Sequence, residues 1–296
     1  MTSNKKMHVN EVDIDVLLVK QLLGTQFPKW AKLPITPVQS AGTDNAIYRL
    51  GTDMCLRLPR RPESANDIDK ELRWLPQLAP LLPLAIPAPL GKGGPNENYP
   101  FSWAIYHWLE GENAAGEHII DFDKAATDLA QFLIVLQKID VTGAPVSRRG
   151  APLATKDKET RRAIELLYGV VDIHAATTVW EKCLQTPVWD KPLLWTHGDL
   201  LPTNLLVKQG RVTAAIDFSF LGIGDPACDL IPAWSVFSSN SRKLFRSVLR
   251  VDETTWMRGC GWALSIALTI LPYYQNSNPG LVAVAKRMLN EIFSDF

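Results

Sequence analysis

Apolar residues change their spacing along the chain, and the changes predict its elements. Short apolar runs at 36–40, 46–50 and 54–58 are broken by Gly42 and by Gly51-Thr52-Asp53. Runs of this length between turn residues read as strands, and the second break reads as a hairpin turn. Helical spacing follows over 66–78 (Ile68, Leu72, Leu75, Leu78), where Pro76 predicts an irregular end. A proline-rich passage at 80–95 leads to residues 101–109, which alternate like a strand.

From Asp121 the period becomes helical. Asp121 is a plausible N-cap, and Phe122, Ala126, Leu129, Phe132, Leu133, Leu136 and Ile139 recur at three and four residues. Further helices are predicted over 158–168 and 178–184. A strand pair, 205–208 and 212–216, turns at Gln209-Gly210. Helices resume from 227, and the last begins with Asn278 as N-cap and Pro279 in the first position. The pattern predicts an α+β protein with an N-terminal sheet lobe over 1–109 and a larger helical lobe over 110–296.

Composition narrows the classes. Lys+Arg and Asp+Glu balance at 31 each, so no net charge draws the chain of 296 residues to nucleic acid or an anionic membrane. The apolar stretch 262–274 is short for a membrane span and fits a buried helix. Residues 1–10 are polar and lack the apolar segment of a secretory signal. Cys55, Cys183, Cys228 and Cys260 form no CxxC motif and read as reduced thiols. A cytoplasmic protein is expected, and no feature calls for an obligate protein partner.

The chemistry concentrates in 193–229. His197-Gly198-Asp199 is followed by Asn204, and thirteen residues later by Asp217 in Ala215-Ile216-Asp217-Phe218. Phosphoryl transfer needs this set. One carboxylate orients a hydroxyl and accepts its proton, while an amide oxygen and a second carboxylate hold Mg²⁺ against phosphates.

The segment resembles the catalytic and metal loops of protein kinases. It is more similar still to the aminoglycoside phosphotransferase family, with its H-G-D-x-x-x-x-N, I-D-[FW] and G-D-P-x-x-D-L runs, the last present as 224–230. The resemblance implies a bilobal, protein-kinase-like fold and a small-molecule kinase using Mg²⁺ with ATP or GTP and an alcohol acceptor. It makes Asp199 the base and Asn204 and Asp217 the metal ligands. His197 reads as packed beneath the loop, and Asp229 as an acceptor for backbone N–H groups of the catalytic loop. Asp225 is left open between capping a helix and facing the acceptor.

The N-terminal lobe would hold the nucleotide. The segment Ser40, Gly42, Thr43 and Asn45 lies between two strand candidates, where the family has a G-x-x-N loop near the phosphates; an ordinary hairpin turn fits equally. Arg57 stands where kinases place a phosphate-gripping lysine, and Glu71 is the best-placed partner on the next helix. The run 103–111 resembles the interlobe hinge whose backbone reads the purine, which by position marks Tyr106, His107 and Trp108, although aromatics at this spacing are more often simple core.

The acceptor is left open. From 226 to the end there are five acids against seven bases, which does not favour a polycation such as an aminoglycoside. Trp234, Trp256, Trp262, Tyr273 and Tyr274 suit a sugar face or, more simply, a helical core. A metabolite kinase of sugar, choline or homoserine type, and a catalytically silent nucleotide-binding protein, are the alternatives.

Overall fold

The computed structural model describes residues 11–38, 44–116 and 118–296. The chain divides into two compact units, 1–80 with 86–110 and 81–85 with 111–296.

The first unit is built on an antiparallel sheet. Its strands are β1 (Ile35–Pro37), β2 (Asn45–Leu50), β3 (Met54–Pro59), β4 (Pro89–Gly93) and β5 (Trp103–His107), ordered β1-β2-β3-β5-β4. The β2–β3 hairpin turns where expected, with Leu50 opposite Met54. Helix α1 (Val16–Gln26) has no counterpart among the elements read from sequence. Its Asp15 cap accepts from the Leu18 N–H at 2.8 Å, and Val19, Leu22 and Leu23 join Leu50, Leu56, Leu58, Tyr99, Trp103 and Ile105 in one core. Helix α2 (Pro62–Leu78) starts four residues earlier than its apolar spacing suggests and runs through Pro76. Pro62 occupies the first position, where a proline's missing N–H costs nothing. Strand β4 emerges from the proline-rich passage, pairing with β5 through an irregular register between Pro89 and Gly91.

The second unit is mostly helical. Helix α3 (Phe122–Leu136) is capped by Asp121, whose Oδ1 accepts from the Lys124 N–H at 2.8 Å. Strand β6 (Glu112–Asn113) pairs with β8 (Leu205–Lys208), and β8 with β9 (Arg211–Ala215). Strand β7 (Leu194–Thr196) pairs antiparallel with β10 (Gly222–Gly224). These two small sheets carry the 193–229 segment. The helices are α4 (Asp157–Leu166), α5 (Ile173–Leu184), α6 (Pro232–Ser235), α7 (Ser239–Leu249), α8 (Glu253–Tyr274) and α9 (Pro279–Phe293). Asn278 caps α9 through the Leu281 N–H at 3.1 Å.

Trp234, Trp256 and Trp262 are buried core, whereas Tyr273 is exposed. Among the described residues no helix is long and apolar enough to cross a membrane. The four cysteines are free thiols.

Helix α8 packs closely on the 226–230 turn because it carries Gly259. A Cβ there would stand 2.7 Å from Leu230 Cδ1 and 3.1 Å from the Ala227 carbonyl oxygen. Alanine in a helix interior normally gains about 1 kcal/mol over glycine. Here the overlap reverses the sign, and Gly259→Ala should lose about 1–3 kcal/mol in urea unfolding. A stabilised variant would contradict this packing.

Candidate active site

The turn after β7 is held from beneath by a buried carboxylate. Asp229 Oδ2 accepts the His197 N–H at 2.9 Å, and Oδ1 accepts the Gly198 N–H at 2.6 Å. Asp229 is fully buried. Burial pushes its carboxyl up to about 7, against the pull of those two donors. Gly198 sits at φ 81°, and a Cβ there would lie 2.7 Å from Phe220 Cβ, so only glycine fits the turn.

His197 is fully buried against Phe218, with ring centroids 4.4 Å apart. The Asp199 N–H lies 3.1 Å from His197 Nδ1, which therefore accepts. The ring proton belongs on Nε2, which donates to the Ile216 carbonyl at 3.1 Å. Burial lowers this imidazole to about 4, outweighing the opposing effect of Asp217. His197 thus links the turn to the strand end before Asp217, as the packed reading expects.

Asp199 reaches partial exposure, its side chain 13% accessible. Asn204 Nδ2 donates to the Asp199 carbonyl at 2.9 Å and to its Oδ2 at 3.0 Å. Desolvation raises the Asp199 carboxyl, while Arg149 opposes the shift and the charge of Asp217 adds to it. The Asn204 carbonyl accepts the Ile216 N–H at 2.9 Å, which ties the Asn204 turn to the segment holding Asp217. Asp217 adopts φ 61°, a left-handed conformation in which Asp is among the tolerated residues. The second unit therefore assembles Asp199, Asn204 and Asp217 on two adjoining turns. Among the described residues there is no cluster of three or more His, Cys, Asp or Glu suited to a metal. A cation here would rest on two protein oxygens, one amide and one carboxylate. That donor set suits Mg²⁺, which is commonly bound by one or two carboxylates plus phosphates.

Asp225 has a structural position. Its Oδ1 caps the Ala227 N–H at 3.0 Å, and Arg258 donates to Oδ2 at 2.6 Å, with both side chains buried.

In the first unit, Arg57 and Glu71 form a buried ion pair. The Tyr106 hydroxyl donates to Glu71 Oε2 at 2.7 Å. The Asn45 carboxamide, turned with its oxygen toward Arg57, accepts from Nε and Nη2 at 3.1 Å each. The structure thus brings Asn45, Arg57, Glu71 and Tyr106 together. It does not bring His107 and Trp108 into this group. Their N–H groups donate to the Ala88 and Asp53 carbonyls at 2.9 and 2.8 Å, so neither N–H is available to a purine edge. Tyr106 likewise contributes a buried hydroxyl. Ser40, Gly42 and Thr43 lie outside the described residues.

Sequence reading missed Arg149. Its Nη1 pairs with Asp199 Oδ1 and donates to the Gly198 carbonyl at 2.9 Å. The 145–150 segment reaches the turn by lying along β10, where the Ser147 N–H donates to the Ile223 carbonyl and the Asp225 N–H to the Gly150 carbonyl. A Cβ on Gly222 would stand 2.6 Å from Ser147 N, so the approach requires glycine. Only the adjacent arginines and Gly150 marked this stretch, and neither has a periodicity.

His197 is neutral in the fold down to about pH 4, whereas its unfolded counterpart takes a proton near 6.5. Acidification therefore favours the unfolded chain through this residue. In EDTA, the stability advantage of the unsubstituted protein over His197→Asn should shrink by about 2 kcal/mol between pH 7 and pH 4.5. Urea unfolding of both proteins measures it, and a constant or growing difference would contradict a buried neutral imidazole.

The chain is similar to known phosphotransferases. An aminoglycoside 3'-phosphotransferase of Escherichia coli is 27% identical over 231 residues, 70% of this chain and 77% of its own length. The solved GDP and kanamycin complex of APH(2")-IIia aligns with a TM-score of 0.75 at 18% identity, covering 95% of this chain and 100% of the other. Macrolide 2'-phosphotransferase MphH from Brachybacterium faecium aligns with a TM-score of 0.61 at 22% identity, covering 93% and 97%. These likenesses show the kinase-like α+β fold. Residues 35–262, from β1 into α8, match the Phosphotransferase enzyme family, APH, and the chain belongs to that family.

Proposed function

We propose that this phosphotransferase moves the γ-phosphate of ATP or GTP to a hydroxyl of a small-molecule alcohol, with Mg²⁺, in the cytoplasm. The observation that carries the reading is the joining of Asp199, Asn204 and Asp217 on two turns tied by the Asn204–Ile216 hydrogen bond. Asp199 accepts a hydrogen bond from the acceptor hydroxyl and takes its proton. The hydroxyl oxygen forms the new bond to the γ-phosphorus, the bond from that phosphorus to the bridging oxygen breaks, and a nucleoside diphosphate leaves. Burial favours the base by raising its proton affinity, and the Asn204 amide fixes the carboxylate's orientation. Asn204 Oδ1 and Asp217 would hold Mg²⁺, which when bound supplies charge neutralisation on the phosphates. In the first unit, Arg57, aligned by Glu71 and Asn45, is the cation for the triphosphate. The free thiols accord with a reducing compartment. The aminoglycoside and macrolide acceptors named for the relatives supply the first alcohols to try.

Two substitutions separate the roles. Asp199→Ala should cut transfer by about 10²–10⁴-fold, the contribution of a general base, and leave nucleotide affinity near that of the parent in calorimetry. A parallel loss of nucleotide binding would assign Asp199 a different role. Asp217→Ala should abolish the Mg²⁺ dependence of nucleotide binding. Titrations of ATP and GTP with and without Mg²⁺ measure this, and a retained metal dependence would move the ligand elsewhere.

A further inference from the structure

Arg149 places a cation against the proposed base. Its Nη1 hydrogens are committed to Asp199 Oδ1 and the Gly198 carbonyl. The Nε and Nη2 hydrogens meet no acceptor among the described residues. The guanidinium lies over the Phe220 ring at 4.0 Å, and its side chain is 18% accessible. It is held flat, partly buried, with donors unspent on the side not facing Asp199. Arg148 adds a second guanidinium over the same ring at 5.1 Å, with Nη2 donating to the Ser219 carbonyl at 3.1 Å.

Charge around the base follows from this. Arg149 offsets the charge of Asp199 and still presents its Nε and Nη2 donors. A polycationic acceptor gains nothing there, whereas an anionic oxygen meets a preformed planar fork.

We propose that Arg149 is a specificity-determining residue, selecting an alcohol that carries a carboxylate or phosphate close to the hydroxyl it presents to Asp199. The inference rests on the phosphotransferase reading above and deepens it by naming the acceptor class. Arg149 binds the anionic group through Nε and Nη2 while Nη1 keeps Asp199 oriented.

The test uses the full chain with Mg²⁺ and either ATP or GTP. The probes are glucose as the neutral polyol, gluconate as the carboxylate, glucose 6-phosphate as the phosphate and kanamycin as the polycation. Phosphate transfer is followed with labelled nucleotide, and acceptor binding to the nucleotide-loaded protein by calorimetry. Gluconate or glucose 6-phosphate should bind or react at least about 10-fold better than glucose, the scale of one charge-assisted contact. The better of these two identifies the anion. Arg149→Gln should remove that preference mainly through KM, and Arg149→Lys, which keeps the charge but not the fork, should retain part of it. Arg149→Lys serves alone if the glutamine variant does not fold. Preference for kanamycin or glucose, no binding or transfer with any probe, or an unchanged preference in the variants would each overturn the proposal. Mg²⁺-dependent nucleotide binding, measured on the same samples, separately decides whether the phosphotransferase reading survives.

Discussion

Two hydrogen bonds to one buried carboxylate hold the site together. Asp229 accepts two consecutive backbone N–H groups, those of His197 and Gly198. Without it these donors would be buried and unpaired, at about 1–3 kcal/mol each. Their pairing fixes a left-handed glycine turn and sends Asp199 out toward solvent from an otherwise dry loop. His197 extends the same constraint sideways. Because its imidazole stays neutral, it accepts from the Asp199 N–H and donates to the Ile216 carbonyl. One rigid unit therefore sets the backbone of Asp199, the proposed base, and of the segment that carries Asp217 together. Positioning of this kind is what phosphoryl transfer demands, since the reaction asks little covalent chemistry of the protein.

The charges follow a similar economy. Asp199 is flanked by an amide donor from Asn204 and a guanidinium from Arg149. The first orients it without changing its charge. The second competes with burial for control of its proton affinity. In the other unit, Arg57 is gripped by Glu71, and Glu71 also accepts from Tyr106. A buried ion pair of this sort is a weak source of stability. It is better understood as a device that fixes the direction of a planar cation.

Much of this was legible in the sequence because it is local. The β2–β3 hairpin follows from its turn residues, α3 and α9 from Asp121 and Asn278, and the candidate site loop from its fixed spacing of His197, Asp199 and Asn204. Arg57 could be matched to Glu71 because one strand and one helix follow each other directly. What escaped is non-local or lacks a period. Arg149 stands fifty residues from Asp199 in irregular chain, brought there by backbone pairing along β10 that glycines permit. The Arg258 partner of Asp225 lies on α8, and the apolar spacing of that helix says nothing about its one buried charge. The alternation of β5 turns the Tyr106 hydroxyl to Glu71, a side-chain contact that the expectation of a backbone hinge does not address. Helix α1 was missed because its apolar residues run together without a clean interval.

The division of labour between Asp199 and the Asn204–Asp217 pair is the centre of the account. A crystal structure with Mn²⁺ in place of Mg²⁺ and a non-hydrolysable triphosphate would test it directly, because anomalous scattering locates the ion independently of the refined protein. The expected ion is ligated by Asn204 Oδ1, an Asp217 carboxylate oxygen and phosphate oxygens, with Asp199 outside the coordination sphere. An ion ligated by Asp199, or bound without Asp217, would contradict it.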